Sequence, residues 1–123
     1  MNFRTDRKNA TGSGSGRSGT NHHWKMMVSS TLLVVLVPPF VIIFALGLGG
    51  SYEEVLAYFG HPFAVIVTAL TLIVGILHMM GEAQAAIEDY MHGVAEKLTL
   101  IGVNAFSYTL IAIALLALIK LAI

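Results

Sequence analysis

Four titratable side chains follow one face of a segment that otherwise has the composition of a membrane span. On a helix that turns about 100° per residue, Glu82, Asp89 and His92 all fall within about 40° of His78. Ionisable groups at bilayer depth cost at least about 2.5 kcal/mol each, so they usually face the interior of a helix bundle and mark a cofactor, substrate or proton path. The spacing therefore predicts a working site along this face.

The chemistry open to His78 follows from its apolar neighbours, Leu77, Met79 and Met80. An imidazole cannot stay charged cheaply in such surroundings, but a neutral imidazole is a good axial ligand for haem iron. Gly81, about 60° round the helix, would leave room for a macrocycle against the backbone. A histidine hydrogen-bonded to a neighbouring helix explains the same pattern, and the residues alone leave both interpretations open.

The inner end of the same segment carries a second group of polar residues, Glu88, Asp89 and Tyr90. A carboxylate and a phenol hydroxyl near the membrane surface are the pair needed to hydrogen-bond and protonate a quinone carbonyl. A solvated helix end is the competing explanation.

The spacing of the histidines limits how many haems the chain could hold. Thirteen residues separate His78 from His92, the interval at which di-haem cytochrome b helices hold two stacked haems. That arrangement needs a matching pair on a second helix, and the predicted first and third helices contain no histidine. The chain has no cysteine, which leaves histidine as its most plausible metal ligand. We therefore expect at most one haem ligand from this chain, with the other supplied by another subunit.

Composition predicts the elements that position these residues. With 123 residues, 56% hydrophobic content and 11% charged residues, the chain is far too apolar for an ordinary soluble domain. We predict an all-α integral membrane protein whose three transmembrane helices, at about 26–49, 62–92 and 98–121, form part of a heteromeric helical bundle. Residues 1–21 are predicted to be a flexible basic tail, or alternatively a mitochondrial transit peptide, ahead of a three-helix anchor at 22–123. A net charge of zero gives no case for nucleic acid.

Shorter features complete this outline. Pro38 and Pro39 are expected to kink the first span near mid-depth. Residues 51–60 predict a short interfacial helix in the external loop. The polar residues of the third span suggest hydrogen bonds between helices; they are Thr99, Asn104, Ser107, Tyr108 and Thr109.

Lysine and arginine predict the orientation, because they concentrate on the inner side of membrane proteins. The loop between the first two spans has none. The basic residues that flank the other ends of these spans are Arg4, Arg7, Lys8, Arg17, Lys25 and Lys97. We therefore expect the N-terminus and the 88–97 loop to face the cytoplasm or mitochondrial matrix.

A family resemblance rests on two motifs. His78, ten residues and then Asp89-Tyr90, continued by Met91-His92-Gly93 and closed by Lys97, resembles the second helix of the smaller hydrophobic membrane-anchor subunit of succinate dehydrogenase (complex II). His23-Trp24, followed by a proline partway along the first span, resembles the opening segment of that subunit. The resemblance covers roughly residue 24 to the end.

This resemblance implies a role for each matching residue. His78 matches the axial ligand of a haem b shared with the larger cytochrome b anchor subunit. Tyr90 matches a tyrosine that hydrogen-bonds ubiquinone near the iron-sulfur subunit, and Asp89 matches an aspartate that serves as a proton or haem-propionate partner. Many relatives carry an arginine where this chain has Val28, so the role of that arginine is lost here or falls to Lys25.

The implied function is that of a non-catalytic anchor of succinate dehydrogenase in the tricarboxylic acid cycle and aerobic respiration. Electrons from succinate would pass through the flavoprotein and iron-sulfur subunits to ubiquinone beside Tyr90. The implied location is the bacterial inner membrane or, alternatively, the mitochondrial inner membrane. Three other functions stay open: a fumarate reductase anchor, a small proton-coupled transporter using Glu82 and Asp89, and a non-catalytic assembly or regulatory protein. Bound haem b would distinguish the two anchor functions, in succinate dehydrogenase or fumarate reductase, from the transporter and from the assembly or regulatory protein.

Overall fold

The computed structural model describes residues 3–12 and 18–123, which form α-helices joined by short turns. In chain order the helices are α1 (Asp6–Thr11), α2 (Ser18–Gly47), α3 (Tyr52–Phe59), α4 (Pro62–Tyr90) and α5 (Gly93–Ala122). Three of them are long and apolar enough to cross a membrane: α2 from Thr20, α4 and α5. The predicted all-α membrane protein with three spans is therefore confirmed.

The long helices α2 and α5 begin earlier than predicted. α2 starts at Ser18 rather than near residue 26, and α5 starts at Gly93 rather than near residue 98. Hydropathy marks only the part of a helix that hydrocarbon would cover, whereas the backbone hydrogen bonds continue into the polar region beyond it. The helical start of α2 therefore includes residues assigned to the end of the tail.

Within the predicted tail, α1 is a short helix whose first turn is capped by the Thr5 side chain, which accepts from the Lys8 backbone N–H at 3.1 Å. Arg17, one of the basic residues used to predict orientation, lies outside the described residues. The flexibility of the tail stays a prediction, as does the kink at Pro38 and Pro39, through which α2 continues as helix.

The second span ends two residues before the predicted boundary. α4 stops at Tyr90, and both Met91 (φ −123°, ψ 150°) and His92 (φ −141°, ψ 157°) are extended. Gly93 has φ +73°, a left-handed conformation that glycine adopts without steric cost. The prediction that His92 continues the titratable face of this helix is therefore wrong, because His92 is the N-cap residue of α5.

The short helix predicted in the first loop is observed as α3, and its place at the external membrane interface stays a prediction. The Ser51 hydroxyl accepts from the Glu54 backbone N–H, and the Glu54 carboxylate accepts from the Ser51 N–H, both at 3.3 Å. This reciprocal capping box satisfies two backbone donors that the helix itself cannot. Gly60 closes α3, and His61 and Pro62 start α4.

α4 is the central helix, with α2 and α5 packed against it. A small buried cluster near the α3 end consists of Ile43, Phe59, Ala64 and Val67. Many large apolar side chains along the three spans are exposed, including Val34, Ile66 and Phe106. Because a soluble protein could not leave such an area in water, lipid or partner helices must cover these faces.

Only part of the hydrogen bonding predicted for the third span is seen. Asn104 of α5 accepts from the Gln84 side-chain amide of α4 at 2.6 Å, as the expected helix-to-helix bond. Thr99 and Thr109 instead donate to carbonyls four residues earlier in α5, each at 2.7 Å. For these two threonines the prediction is wrong, because a hydroxyl on a helix can reach its own backbone.

Candidate functional site

His78 lies where α2 crosses α4, and its ring is held from the facing helix. Its Nδ1 is 2.7 Å from the Ser29 hydroxyl oxygen, and its side chain is 21% exposed. The Ser29 hydroxyl also donates to the Met26 carbonyl one turn earlier in α2, at 3.1 Å. The interpretation of His78 as a histidine bonded to a neighbouring helix is therefore correct for one of its two ring nitrogens.

The other ring nitrogen, Nε2, has no hydrogen bond within the described part of the chain. Its nearest charged neighbour is Glu82, whose Oε1 lies 3.9 Å away, too far for a hydrogen bond. The Glu82 side chain is 67% exposed, so its carboxylate is free to turn away. One ring nitrogen is thus fixed by the protein while the second keeps its capacity to bind a ligand.

The space beside Gly81, predicted to accommodate a macrocycle, contains the end of a side chain from α2. A Cβ atom at this buried glycine would lie 2.5 Å from the Met26 sulfur and 3.7 Å from Cε1 of His22, both on α2. Small residues allow spanning helices to approach closely, and here the missing side chain lets Met26 fill the interface. The room predicted at Gly81 for a macrocycle stays a prediction, because the flexible end of the Met26 side chain lies in that space.

The early start of α2 changes the count of histidines on the spans, because it includes His22 and His23. The prediction that the first helix has no histidine is therefore wrong. The residue that faces His78 from α2 is nevertheless Ser29. No three His, Cys, Asp or Glu side chains in residues 3–12 and 18–123 come together as a metal site. That His78 is one ligand of a haem shared with another subunit stays a prediction.

Asp89 and Tyr90 end α4 about 18 Å along the helix axis from His78, at a rise of about 1.5 Å per residue. Tyr90 is 86% exposed, Asp89 is exposed as well, and neither side chain makes a hydrogen bond to another described residue. At about 100° per residue, Asp89 points about 20° from the direction of His78 and Tyr90 about 120°. The predicted stripe therefore holds for Glu82 and Asp89, whereas Tyr90 projects to another side.

The sequence analysis missed a groove of about 750 Å³ between α2, α4 and the Tyr108 side chain of α5. Lys25, Val28 and Ser29 lie on its α2 wall, and Leu77, Gly81 and Gln84 on its α4 wall. Lys25 and Val28 are three residues apart and line the same space. A basic residue is therefore present on the groove beside position 28.

Ser29 was also missed as a partner of His78. The signal for it was present, because Ser29, Ser30 and Thr31 interrupt an otherwise apolar span, and polar side chains at such depth often bond across helices. The sequence does not show which of these three residues points toward α4. Ser30 and Thr31 are exposed, and the Thr31 hydroxyl donates to the Met27 carbonyl at 2.9 Å.

Comparison with known proteins gives two consistent matches. Residues 1–120 match the family described as succinate dehydrogenase/fumarate reductase transmembrane subunit. The chain is also 43% identical over 121 residues to the succinate dehydrogenase hydrophobic membrane anchor subunit of Paracoccus denitrificans, an alignment that covers 98% of this chain and 94% of that protein. No solved structure matches the chain.

Proposed function

This chain belongs to the succinate dehydrogenase/fumarate reductase transmembrane subunit family, and from that premise we propose that it supplies one axial haem ligand and part of a ubiquinone site to succinate dehydrogenase. As a membrane-anchor subunit, it contributes three apolar spans. Oxidation of succinate takes place on the flavoprotein subunit, and the iron-sulfur subunit passes the electrons on. The curated relative is named for succinate dehydrogenase, which favours this direction over fumarate reduction.

The haem role rests on one observation, the unequal state of the two nitrogens of His78. An axial histidine needs one free ring nitrogen for iron and usually has the other held by a hydrogen bond. His78 meets both requirements, with Nδ1 at 2.7 Å from Ser29 and Nε2 unbonded. A haem b bound here would supply one-electron redox chemistry. The larger cytochrome b anchor subunit provides the second ligand, since α2 offers Ser29 at the facing position.

The quinone role belongs to Tyr90 and Asp89 at the inner end of α4. Their exposure and lack of intrachain bonds support a site that is completed by partner subunits. The Tyr90 hydroxyl donates a hydrogen bond to a quinone carbonyl oxygen, whose negative charge grows as the ring is reduced. Asp89, the adjacent carboxylate, passes a proton toward that oxygen. Lys25 takes over the positive charge that many relatives place at position 28, and its position on the same groove wall as Val28 supports this substitution.

The combined test is purification of the tagged chain in mild detergent from its native membrane. We expect the larger anchor, iron-sulfur and flavoprotein subunits to co-purify in equal amounts, together with a reduced-minus-oxidised difference spectrum of b type. A transporter or an assembly factor would carry no such haem. Recovery of all four subunits without haem would contradict the ligand role while leaving the anchor role intact.

The orientation follows from the basic residues, since Lys25 lies near the start of the first span and Lys97 follows the second. In the bacterial inner membrane this places Tyr90 on the cytoplasmic side, where the iron-sulfur subunit binds. A reporter that is active only outside the cytoplasm should be active when fused after Ile123 and inactive when fused after His92. The reverse pattern would contradict both the orientation and the siting of Tyr90.

A further inference from the structure

The two hydrogen bonds of Ser29 determine where its proton lies. A serine hydroxyl has one proton to donate and two lone pairs that accept. The Ser29 hydroxyl donates to the Met26 carbonyl oxygen, which can only accept, at 3.1 Å. With the serine proton on that bond, the second contact, at 2.7 Å to Nδ1 of His78, is one in which the ring donates its Nδ1–H to the serine oxygen.

We propose that Ser29 is a positioning residue that holds His78 in the Nδ1-protonated tautomer and so presents an unprotonated Nε2 to haem iron. This inference rests on the proposed function, because it assumes that His78 is the ligand. In the opposite tautomer Nε2 would carry the proton and could not bind iron. That tautomer would also require Ser29 to donate to Nδ1, which would break its bond to the Met26 carbonyl.

The surroundings support this assignment. Glu82 lies 3.9 Å from Nε2, so no hydrogen bond to this carboxylate holds a proton on that nitrogen. The end of the Met26 side chain lies beside the buried Gly81, one turn along α4 from His78. The serine oxygen and the ring therefore meet where α2 packs against α4.

The bond has a measurable electronic consequence. A hydrogen bond from the distal N–H of a ligating histidine raises the basicity of the ligand. A more basic ligand stabilises ferric iron over ferrous iron and lowers the midpoint potential. Loss of the Ser29 oxygen should therefore raise the midpoint potential of the haem, and the freed ring should also rotate, which changes the g-values of the ferric low-spin signal.

The test compares three variants of the assembled complex. Ser29→Ala removes the hydroxyl, Ser29→Thr keeps it, and Ser30→Ala removes a neighbouring hydroxyl that is exposed on another face of α2. Subunit content, haem per complex, midpoint potential and g-values are measured for each. We expect Ser29→Ala to assemble with a raised potential and shifted g-values, and the other two variants to match the wild type.

Three outcomes would overturn the positioning role of Ser29, and they distinguish its failure from a failure of the proposed haem ligand. Wild-type potential and g-values in Ser29→Ala, when His78→Ala has lost its haem, would overturn the role of Ser29 alone. Haem that is unaffected by His78→Ala would overturn the ligand assignment and the inference together. A shift in Ser29→Ala that Ser29→Thr does not restore would show that the site needs the volume of serine rather than its hydroxyl, which also overturns the positioning role.

Discussion

Replacement of His78 by alanine is expected to remove nearly all of the low-spin b-type haem signal of the assembled complex. The imidazole is the proposed ligand, because its Nδ1 is held by Ser29 while its Nε2 has no hydrogen bond within the described residues. Neither alanine nor leucine can supply an axial donor. The haem iron, held only by the partner subunit, should therefore become high-spin, or the complex should lose its haem. The reduced-minus-oxidised spectrum of purified complex, normalised to subunit content, measures this loss.

His92 provides the matched control, because it is also a histidine of the same region and was predicted on the same helical face. It lies in the extended link between α4 and α5, where it is exposed. His92→Ala should therefore leave the haem spectrum unchanged. An unchanged spectrum in assembled His78→Ala, or a loss of haem in His92→Ala that equals the loss in His78→Ala, would contradict the assignment of His78.

The sequence predicts the spans well because transfer into hydrocarbon depends on composition over about 20 residues, which a single chain displays directly. It predicts helix ends less well. The second span was predicted to run to about residue 92, but the backbone leaves the helix at Met91, two residues before Gly93 with its positive φ. The face assigned to His92 failed for this reason, since one extended residue changes the direction of every side chain that follows.

Contacts between helices were the least predictable part of the site. His78 was identified from its depth and neighbours, but its partner Ser29 lies 49 positions away. That pairing depends on the register of α2 against α4, which many contacts between the two helices determine together. Gly81 illustrates the same difficulty, because a missing side chain looks the same in sequence whichever neighbour fills the space.

The second large effect is expected from Tyr90→Phe, which removes only a hydroxyl. A hydrogen bond donated to a quinone carbonyl becomes stronger as negative charge develops on that oxygen. Losing the donor should therefore slow quinone reduction more than it weakens quinone binding. A bond worth about 1.4 to 3 kcal/mol in the transition state corresponds to a fall of about one to two orders of magnitude in quinone reductase activity. Succinate oxidation by an artificial acceptor that draws electrons upstream should persist, and the haem should stay bound.

Tyr52→Phe is the control for this substitution, because Tyr52 is likewise exposed, at 78%, but begins α3 in the loop between the first two spans. On the opposite side of the membrane from Tyr90, it should not affect quinone turnover. Asp89→Asn, which keeps the shape of the side chain but not its basicity, should slow quinone reduction with assembly intact. Wild-type quinone turnover in Tyr90→Phe would refute the donor role of the phenol. Equal loss of quinone reduction and of the upstream reaction would instead trace the defect to assembly, since a missing hydrogen bond at the quinone cannot slow electron transfer that never reaches it.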